Sequence, residues 1–176
     1  MTNSGDSILA RQHDARVARY RAWVLFFIPV LALLFQVYVP LFYRPLAYLD
    51  ATLLVTIYFA MMRHSQVNGI LVGSVMGLAQ DALAYNPLGM YGIAKTLVGF
   101  FAASIGLRID VSQPFIRLLA CFVFYSFHQF LYWLISRALM AQQISFDWNQ
   151  TMILGALNAA VGVALFHFLD KLKDRE

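Results

Sequence analysis

Charged residues are scarce in this chain of 176 residues, since only 12% are Asp, Glu, Lys or Arg. That is about half of the share that is typical of a soluble domain, about 25%. Too few charges are present to cover the surface of a water-soluble protein of this size. The composition therefore excludes intrinsic disorder and argues against a soluble enzyme or a nucleic-acid-binding protein. Cysteine is scarcer still: Cys121 is the only one, so the chain forms no intramolecular disulfide and has no cysteine-based metal site.

Motifs of soluble enzymes are also missing from the sequence. There is no glycine-rich phosphate loop followed by Lys and Ser or Thr, and no His-Glu-x-x-His metal pair. The four histidines lie far apart without ligand spacing, and no nucleophile stands beside a base. We therefore predict no catalytic residue, no metal and no cofactor. His128 is interpreted as a packed, hydrogen-bonded interior residue rather than as a proton relay.

Long apolar runs make up most of the sequence, in which 61% of the residues are hydrophobic. A transmembrane helix needs about 20 mostly apolar residues, and membrane-barrel strands would alternate in polarity instead. We therefore predict an all-α integral membrane protein, a bundle of about six transmembrane helices. The predicted helices cover residues 22–43, 45–62, 67–84, 90–107, 114–139 and 148–169.

Basic residues are distributed unevenly over the predicted loops. Ten of them fall on one side of the membrane and only Arg44 and Arg137 on the other, so both termini are predicted to be cytoplasmic. The predicted organisation is a basic cytoplasmic arm (1–21), a six-helix domain (22–170) and a cytoplasmic tail (171–176). The arm is interpreted as an anchor on anionic lipid, with docking of a cytoplasmic partner as the alternative.

Glycines recur every four residues along the third predicted helix and every seven along the fourth, where Lys95 and Ala102 occupy the intervening positions of the same face. Small residues at this spacing form one helix face and let helix backbones approach closely within lipid. We predict that these faces form a helix-packing or partner interface. Its members are Gly69, Gly73, Gly77, Gly92, Gly99 and Gly106.

Two charged residues lie on the same small-residue faces. Asp81 and Lys95 flank the predicted turn of Asn86, Pro87 and Gly89 at similar depths, and a charge that faced lipid would be costly. We predict a buried pair of Asp81 and Lys95 or a shared intramembrane polar network. Asn158 is its third candidate member. The alternative is a hydrated Asp81 and a Lys95 that reaches the membrane surface, and Asp50 is interpreted as an outer-interface residue.

These residues also carry a family resemblance. The run Gly69-x3-Gly73-x3-Gly77-x3-Asp81, then Asn86-Pro87-Leu88-Gly89, then Thr96-Leu-Val-Gly99 resembles the central signature of the rod shape-determining protein MreD family. The motif covers residues 69–99, and the Arg44-Pro45 step and the chain length also fit. Lys95 has no place in the family pattern, so its role depends on the physical argument alone.

The resemblance implies a non-enzymatic, multi-pass protein of the bacterial inner membrane. It implies a scaffold of the elongation machinery for lateral peptidoglycan synthesis, which binds the single-span protein MreC. Through MreC, such a scaffold connects the cytoskeletal protein MreB to the wall polymerase RodA and its transpeptidase. Nucleic acid is not an expected partner.

A second function remains open, because the family is also similar to the six-helix substrate-binding subunits of vitamin uptake transporters. Such a subunit needs a cavity lined by several polar groups. Gln36, Asp81, Lys95, Asn158 and the tyrosines could line one, but no compact motif gathers them. The first predicted helix is also bulky, without the Ala-x3-Ala face by which such subunits dock their energising module.

Overall fold

The computed structural model describes residues 22–63, 65–84, 87–109, 111, 113–139 and 145–172, without the side chains of residues 22 and 23. This part of the chain is all helical and contains no strand. It consists of six α-helices and one 3-10 segment, Arg44–Tyr48, which follows the first helix. The α-helices are α1 (Ala22–Phe42), α2 (Ala51–Arg63), α3 (Gln66–Leu83), α4 (Met90–Gly106), α5 (Pro114–Leu139) and α6 (Trp148–Asp170).

The helix boundaries confirm the prediction, except at the second helix. The apolar run there predicts one helix over 45–62, but the structure divides it into the 3-10 segment and the shorter α2. Pro45 stands at the start of the 3-10 segment, where its fixed φ is compatible and its missing N–H costs nothing. Leu49 is extended, and Asp50 then caps a new helix through the N–H of Leu53.

The centre of the bundle is α2. Every residue of α2 from Thr52 to Met62 is buried, because the helix packs against all five of the others. A helix that is hydrophobic all round is typical of such a central position. In contrast, α1 packs along one side, against α2, the 3-10 segment and α3, and most of its side chains are exposed or only partly buried.

The closest helix packing is between α3 and α4. A Cβ atom added to Gly73 would overlap the carbonyl of Lys95, and Gly69 and Gly99 would each overlap the other's backbone. A Cβ on Gly77 would lie 2.6 Å from the Cα of Gly92, which is closer than real Cβ atoms come. Hydrogen is therefore the only side chain that fits at these crossings, as the small-residue spacing predicts.

Among the described residues, four segments are long and apolar enough to cross a membrane: Val24–Phe42, Arg44–Arg63, Pro114–Leu139 and Trp148–Asp170. The second of these combines the 3-10 segment with α2. Helix α4 is apolar but shorter, with 17 residues. The structure thus has the features of a helical membrane protein. The terminal segments, on which the predicted orientation depends, lie outside the described residues.

Candidate functional site

Lys95, on α4, lies at the centre of a buried polar cluster. Its side chain is 0% exposed, and its ammonium donates to Asp50 Oδ1 at 2.8 Å, to Gln80 Oε1 at 2.6 Å and to the hydroxyl of Thr52. An ammonium has three hydrogen-bond donors and no acceptor, so every donor has a partner. We call Asp50, Thr52, Gln80, Lys95 and Asn158 the polar core.

Asp50 has two roles in the polar core. Its carboxylate forms the salt bridge with Lys95, and the same Oδ1 accepts the backbone N–H of Leu53 at 2.9 Å. The second contact is that of a helix N-cap, which satisfies one of the free N–H groups in the first turn of α2. The start of the central helix is therefore held by the residue that neutralises the buried lysine.

Asn158 connects α6 to the same point. Its Oδ1 accepts the backbone N–H of Asp50 at 2.8 Å, and its Nδ2 donates to the carbonyls of Tyr48 and Leu154, each at 2.9 Å. Gln36 makes the equivalent contact from α1, since its Oε1 accepts the N–H of Ala51 at 2.8 Å. Side chains from α1, α3, α4 and α6 thus converge on the break that precedes α2.

The prediction that Asp81 pairs with Lys95 is wrong. Asp81 is fully buried, but its carboxylate accepts backbone N–H groups across the α3–α4 turn, from Gly89 at 2.9 Å and from Tyr91 and Gly92 at 3.2 Å. Asp81 and Gln80 are adjacent on α3 and therefore point about 100° apart. Gln80 faces Lys95, whereas Asp81 faces the start of α4 and caps it.

Two further interpretations of the charges need correction. Lys95 does not reach the membrane surface, because its ammonium is enclosed by the polar core. Asp50 is not an outer-interface residue, since it is buried and paired. Of the three predicted members of the network, Lys95 and Asn158 both bond to Asp50. Asp81 bonds elsewhere, to the α3–α4 turn. One feature of the sequence could have indicated this role: Asp50 directly precedes an apolar run, which is the position of an N-cap at the start of a buried helix.

The six predicted interface glycines all pack inside the protein. Gly69, Gly73 and Gly77 face α4, and Gly99 and Gly92 face α3, where Gly92 meets the side chain of Leu78. Gly106 packs on the backbone of Met61 in the central helix. Pro87 and Gly89 form the described part of the turn, in which Gly89 has a φ of +103°, and Asn86 lies outside the described residues. These glycine faces are therefore occupied by packing within the chain.

His128 packs beside the polar core without joining it. The imidazole is 1% exposed, stacks on Tyr91 with 5.7 Å between the ring centres, and its Nδ1 lies 3.9 Å from Asp50 Oδ2. Neither of its nitrogens has a hydrogen-bond partner. The predicted interior position is therefore confirmed, and the predicted hydrogen bonding is wrong. A buried polar group left unpaired is costly, so this residue requires an explanation.

A second, partly buried ion pair was not predicted from the sequence. The guanidinium of Arg117, near the start of α5, lies 2.6 Å from Asp170 at the end of α6, and its Nε donates to the carbonyl of Val111. Tyr58 of α2 donates its hydroxyl to the same carboxylate at 2.8 Å. This group joins α2, α5 and α6 at the end of the bundle away from the polar core.

The chemistry of the polar core is structural. The hydroxyl of Thr52 lies next to the amine of Lys95, and these groups could in principle act as nucleophile and base. Both side chains are fully buried, however, and the lysine is paired with Asp50. Within the ranges that the structure describes, no three His, Cys, Asp or Glu side chains are grouped so as to hold a metal ion. A cavity of about 220 Å³ opens elsewhere, between α5 and the start of α6.

Comparison with known proteins gives one match. The family model of the rod shape-determining protein MreD matches residues 18–173 of the chain. That match covers the 3-10 segment and all six helices, with the polar core, the capped turn and the glycine crossings. No curated protein and no solved structure matches the chain.

Proposed function

The chain belongs to the MreD family of rod shape-determining membrane proteins, and we propose that it is a non-enzymatic scaffold of the elongation machinery. In this proposal it binds an MreC-like single-span protein in the inner membrane. Through that protein it links the cytoskeletal MreB to the wall polymerase RodA and its transpeptidase. The family consists of shape-determining structural proteins and is not a known enzyme family.

The observation that carries the proposal is the way in which the interior polar groups are used. Lys95, Asp50, Gln80 and Asn158 bond to one another or to backbone groups and fix the positions of α3, α4 and α6 relative to α2. An enzyme or transporter keeps polar groups at an accessible cavity. A scaffold needs instead a stiff bundle that presents its outer faces, and this interior supports such a role.

The surface that we propose for the partner helix is the exposed side of α1. Because the glycine faces are already used within the chain, the partner has to pack on another face. Helix α1 is the least covered helix, and it presents Phe26, Leu31, Leu41 and Phe42 to its surroundings. Association of helices in lipid depends on van der Waals packing of such side chains. A single-span helix has the shape that would lie along α1.

The basic arm and the orientation belong to the same proposal. We place both termini in the cytoplasm, with the arm of residues 1–21 at the anionic lipid surface. There the arm would stand on the side of the membrane on which MreB polymerises. The N-terminal end of α1 would follow the arm directly. A partner helix packed on α1 would then lie next to the arm, and MreB at the cytoplasmic membrane surface would be close to both.

The transporter alternative has less support. A vitamin-sized ligand requires a cavity of roughly 300–1,000 Å³. The cavity between α5 and α6 measures about 220 Å³; Tyr125 and Tyr132 are among its lining residues, but Lys95 and Asn158 are not. These two residues, which could have recognised a vitamin, bond to other parts of the chain.

The test is co-purification with the tagged single-span partner from membranes. Leu31→Trp adds bulk to the exposed side of α1, where Leu31 is 64% exposed, and Ile153→Trp on α6, at 69%, is the matched control. We expect Leu31→Trp to reduce recovery of the partner and to round the cells, while Ile153→Trp leaves both unchanged. Equal partner recovery with both variants at equal membrane levels would refute the docking of the partner on α1.

A further inference from the structure

The cavity between α5 and α6 has an aromatic wall. Tyr132, Trp133 and Phe146 line it, and the rings of Trp133 and Phe146 meet at 71° with their centres 5.9 Å apart, which makes a corner. Tyr132 is held in place by its stack on Tyr91, 4.9 Å between ring centres. The faces of aromatic rings carry negative charge density and attract cations, ammonium groups in particular.

A carboxylate stands at the same cavity. Asp147 lines it and caps α6, where one oxygen, Oδ1, accepts the N–H of Gln150 at 3.0 Å. Among the described residues no cation lies against Asp147, and its Oδ2 has no bond. The side chains of Gln129 and Gln150 add hydrogen-bonding groups to the lining. An unpaired carboxylate beside aromatic faces is complementary to a protonated amine.

A phosphate-binding group lies one ring away. The guanidinium of Arg137 is stacked over Trp133, 5.7 Å from the ring centre, and Trp133 lines the cavity. Arg recognises phosphate oxygens through its fork of N–H donors. A negative group and a positive group thus both adjoin the aromatic wall, which is complementary to the two charges of a zwitterionic headgroup.

The surroundings favour a lipid as the source of that headgroup. Phe130, Trp133, Phe146 and Trp148 form a chain of edge-to-face and tilted contacts where α5 ends and α6 begins. Aromatic residues concentrate at the level of lipid headgroups in membrane proteins. The predicted topology puts this end of the two helices at the outer surface of the membrane.

We propose that the cavity between α5 and α6 binds the headgroup of an amine-bearing phospholipid, with its ammonium at Asp147 and the aromatic wall and its phosphate at Arg137. The site would seat one lipid of the outer leaflet against the α5–α6 pair. It requires no partner protein, so it can be tested on the purified chain, independently of the proposed scaffold function.

The experiment measures which lipid the purified chain retains. Wild-type protein is equilibrated in mixed detergent micelles with equal amounts of phosphatidylethanolamine and phosphatidylglycerol, and the bound lipid is counted by native mass spectrometry. We expect retention of phosphatidylethanolamine over phosphatidylglycerol. Asp147→Asn keeps a good N-cap and removes the charge. It should reduce that preference by about tenfold, because hydrogen bonds to charged groups are the stronger ones.

Two aromatic variants separate the cavity from a general effect of the membrane interface. Trp133→Leu removes part of the wall and should weaken the preference, whereas Trp148→Leu changes an aromatic residue at the same level that does not line the cavity, and should not. An unchanged preference in Asp147→Asn would overturn the proposal, as would equal losses in the two tryptophan variants. Loss of partner recovery in Asp147→Asn without any lipid preference in the wild type would assign the cavity to a cationic protein side chain instead.

Discussion

Asp50 and Lys95 are 45 residues apart in the sequence, and their side chains meet at 2.8 Å in the interior of the bundle. Asp50 begins α2 and Lys95 lies in the first half of α4, so this ion pair fixes how the central helix sits against the α3–α4 hairpin. Removal of one partner of such a pair leaves an uncompensated buried charge, which is far more costly than loss of the pair as a whole. Three predictions concern this region and the turn beside it.

The first prediction is a coupling between Asp50 and Lys95. Asp50→Asn and Lys95→Met should each lower the free energy of unfolding by about 3–5 kcal/mol, because each leaves its partner unpaired. The double variant should lose clearly less than the sum of the two. Unfolding in detergent measures all three. The control cycle, Asp81→Asn with Lys95→Met, should be close to additive, since these side chains do not touch. Strong coupling in the control cycle instead would restore the Asp81–Lys95 pair.

The second prediction concerns the cap that Asp81 forms over the α3–α4 turn. Asp81→Ala leaves the buried N–H of Gly92 and the part-buried N–H groups of Gly89 and Tyr91 without their acceptor and should lower the unfolding free energy by about 1–3 kcal/mol. Asp81→Asn, which keeps one acceptor oxygen, should recover part of this loss. Thermal unfolding of the purified variants measures the difference. Equal stability of the Ala variant and the wild type would contradict the capping role.

The third prediction concerns the glycine crossing of α3 and α4. Gly73→Leu should separate the helices, because even a Cβ overlaps the carbonyl of Lys95, and the variant should reach the membrane but lose stability and cell-shape function. Val75→Leu, on the exposed side of the same helix, is the control and should behave as the wild type. Membrane levels, thermal stability and cell width are the measurements. Wild-type behaviour of Gly73→Leu would mean that this crossing is not tightly packed.

The fourth prediction separates stability from function at His128. His128→Phe keeps a ring to stack on Tyr91 and removes two buried nitrogens that have no hydrogen-bond partner. Replacing an unsatisfied buried polar group by an apolar one is close to neutral or stabilising. We expect a thermal stability at or above that of the wild type. A loss of several kcal/mol would show that the imidazole has a polar partner, while retained stability with loss of cell shape would indicate a functional role.

The fifth prediction is the membrane orientation. In a Cys121→Ala background, a cysteine in place of Leu88, which is exposed in the α3–α4 turn, should react only with a reagent added from outside the cell. A cysteine in place of Lys171, just after α6, should react only after the membrane is opened. These two positions are separated by three helices, so six alternating spans put them on opposite sides. Reaction of both from the same side would rule out the six-span arrangement.

Patterns of polarity and spacing made most of the fold predictable. Helix lengths follow from runs of apolar residues, because in lipid every backbone group must bond within its own helix. The glycine spacing of α3 and α4 predicted their close packing for a similar reason, since residues four apart lie on one face. The family motif of residues 69–99 could be recognised from the sequence because it consists of residues at fixed, short separations along the chain. The division of the second helix was less visible, as it depends on the bonds that Asn158 and Gln36 make to the 48–51 backbone.

The partners of the charged residues could not be read from the sequence. Lys95 was correctly expected to face protein, because exposure of its charge to lipid is unfavourable, but Asp81 was predicted as the acid at a similar depth and Asp50 was interpreted as an outer-interface residue. Which of them it meets depends on the rotation of α3 and α4 relative to α2, and neighbouring residues on a helix point about 100° apart. The sequence by itself determined that the interior of this protein contains a charge that must be neutralised. Only the packing of three helices decided that Asp50 neutralises it, because the side-chain directions are fixed by contacts between segments far apart in the chain.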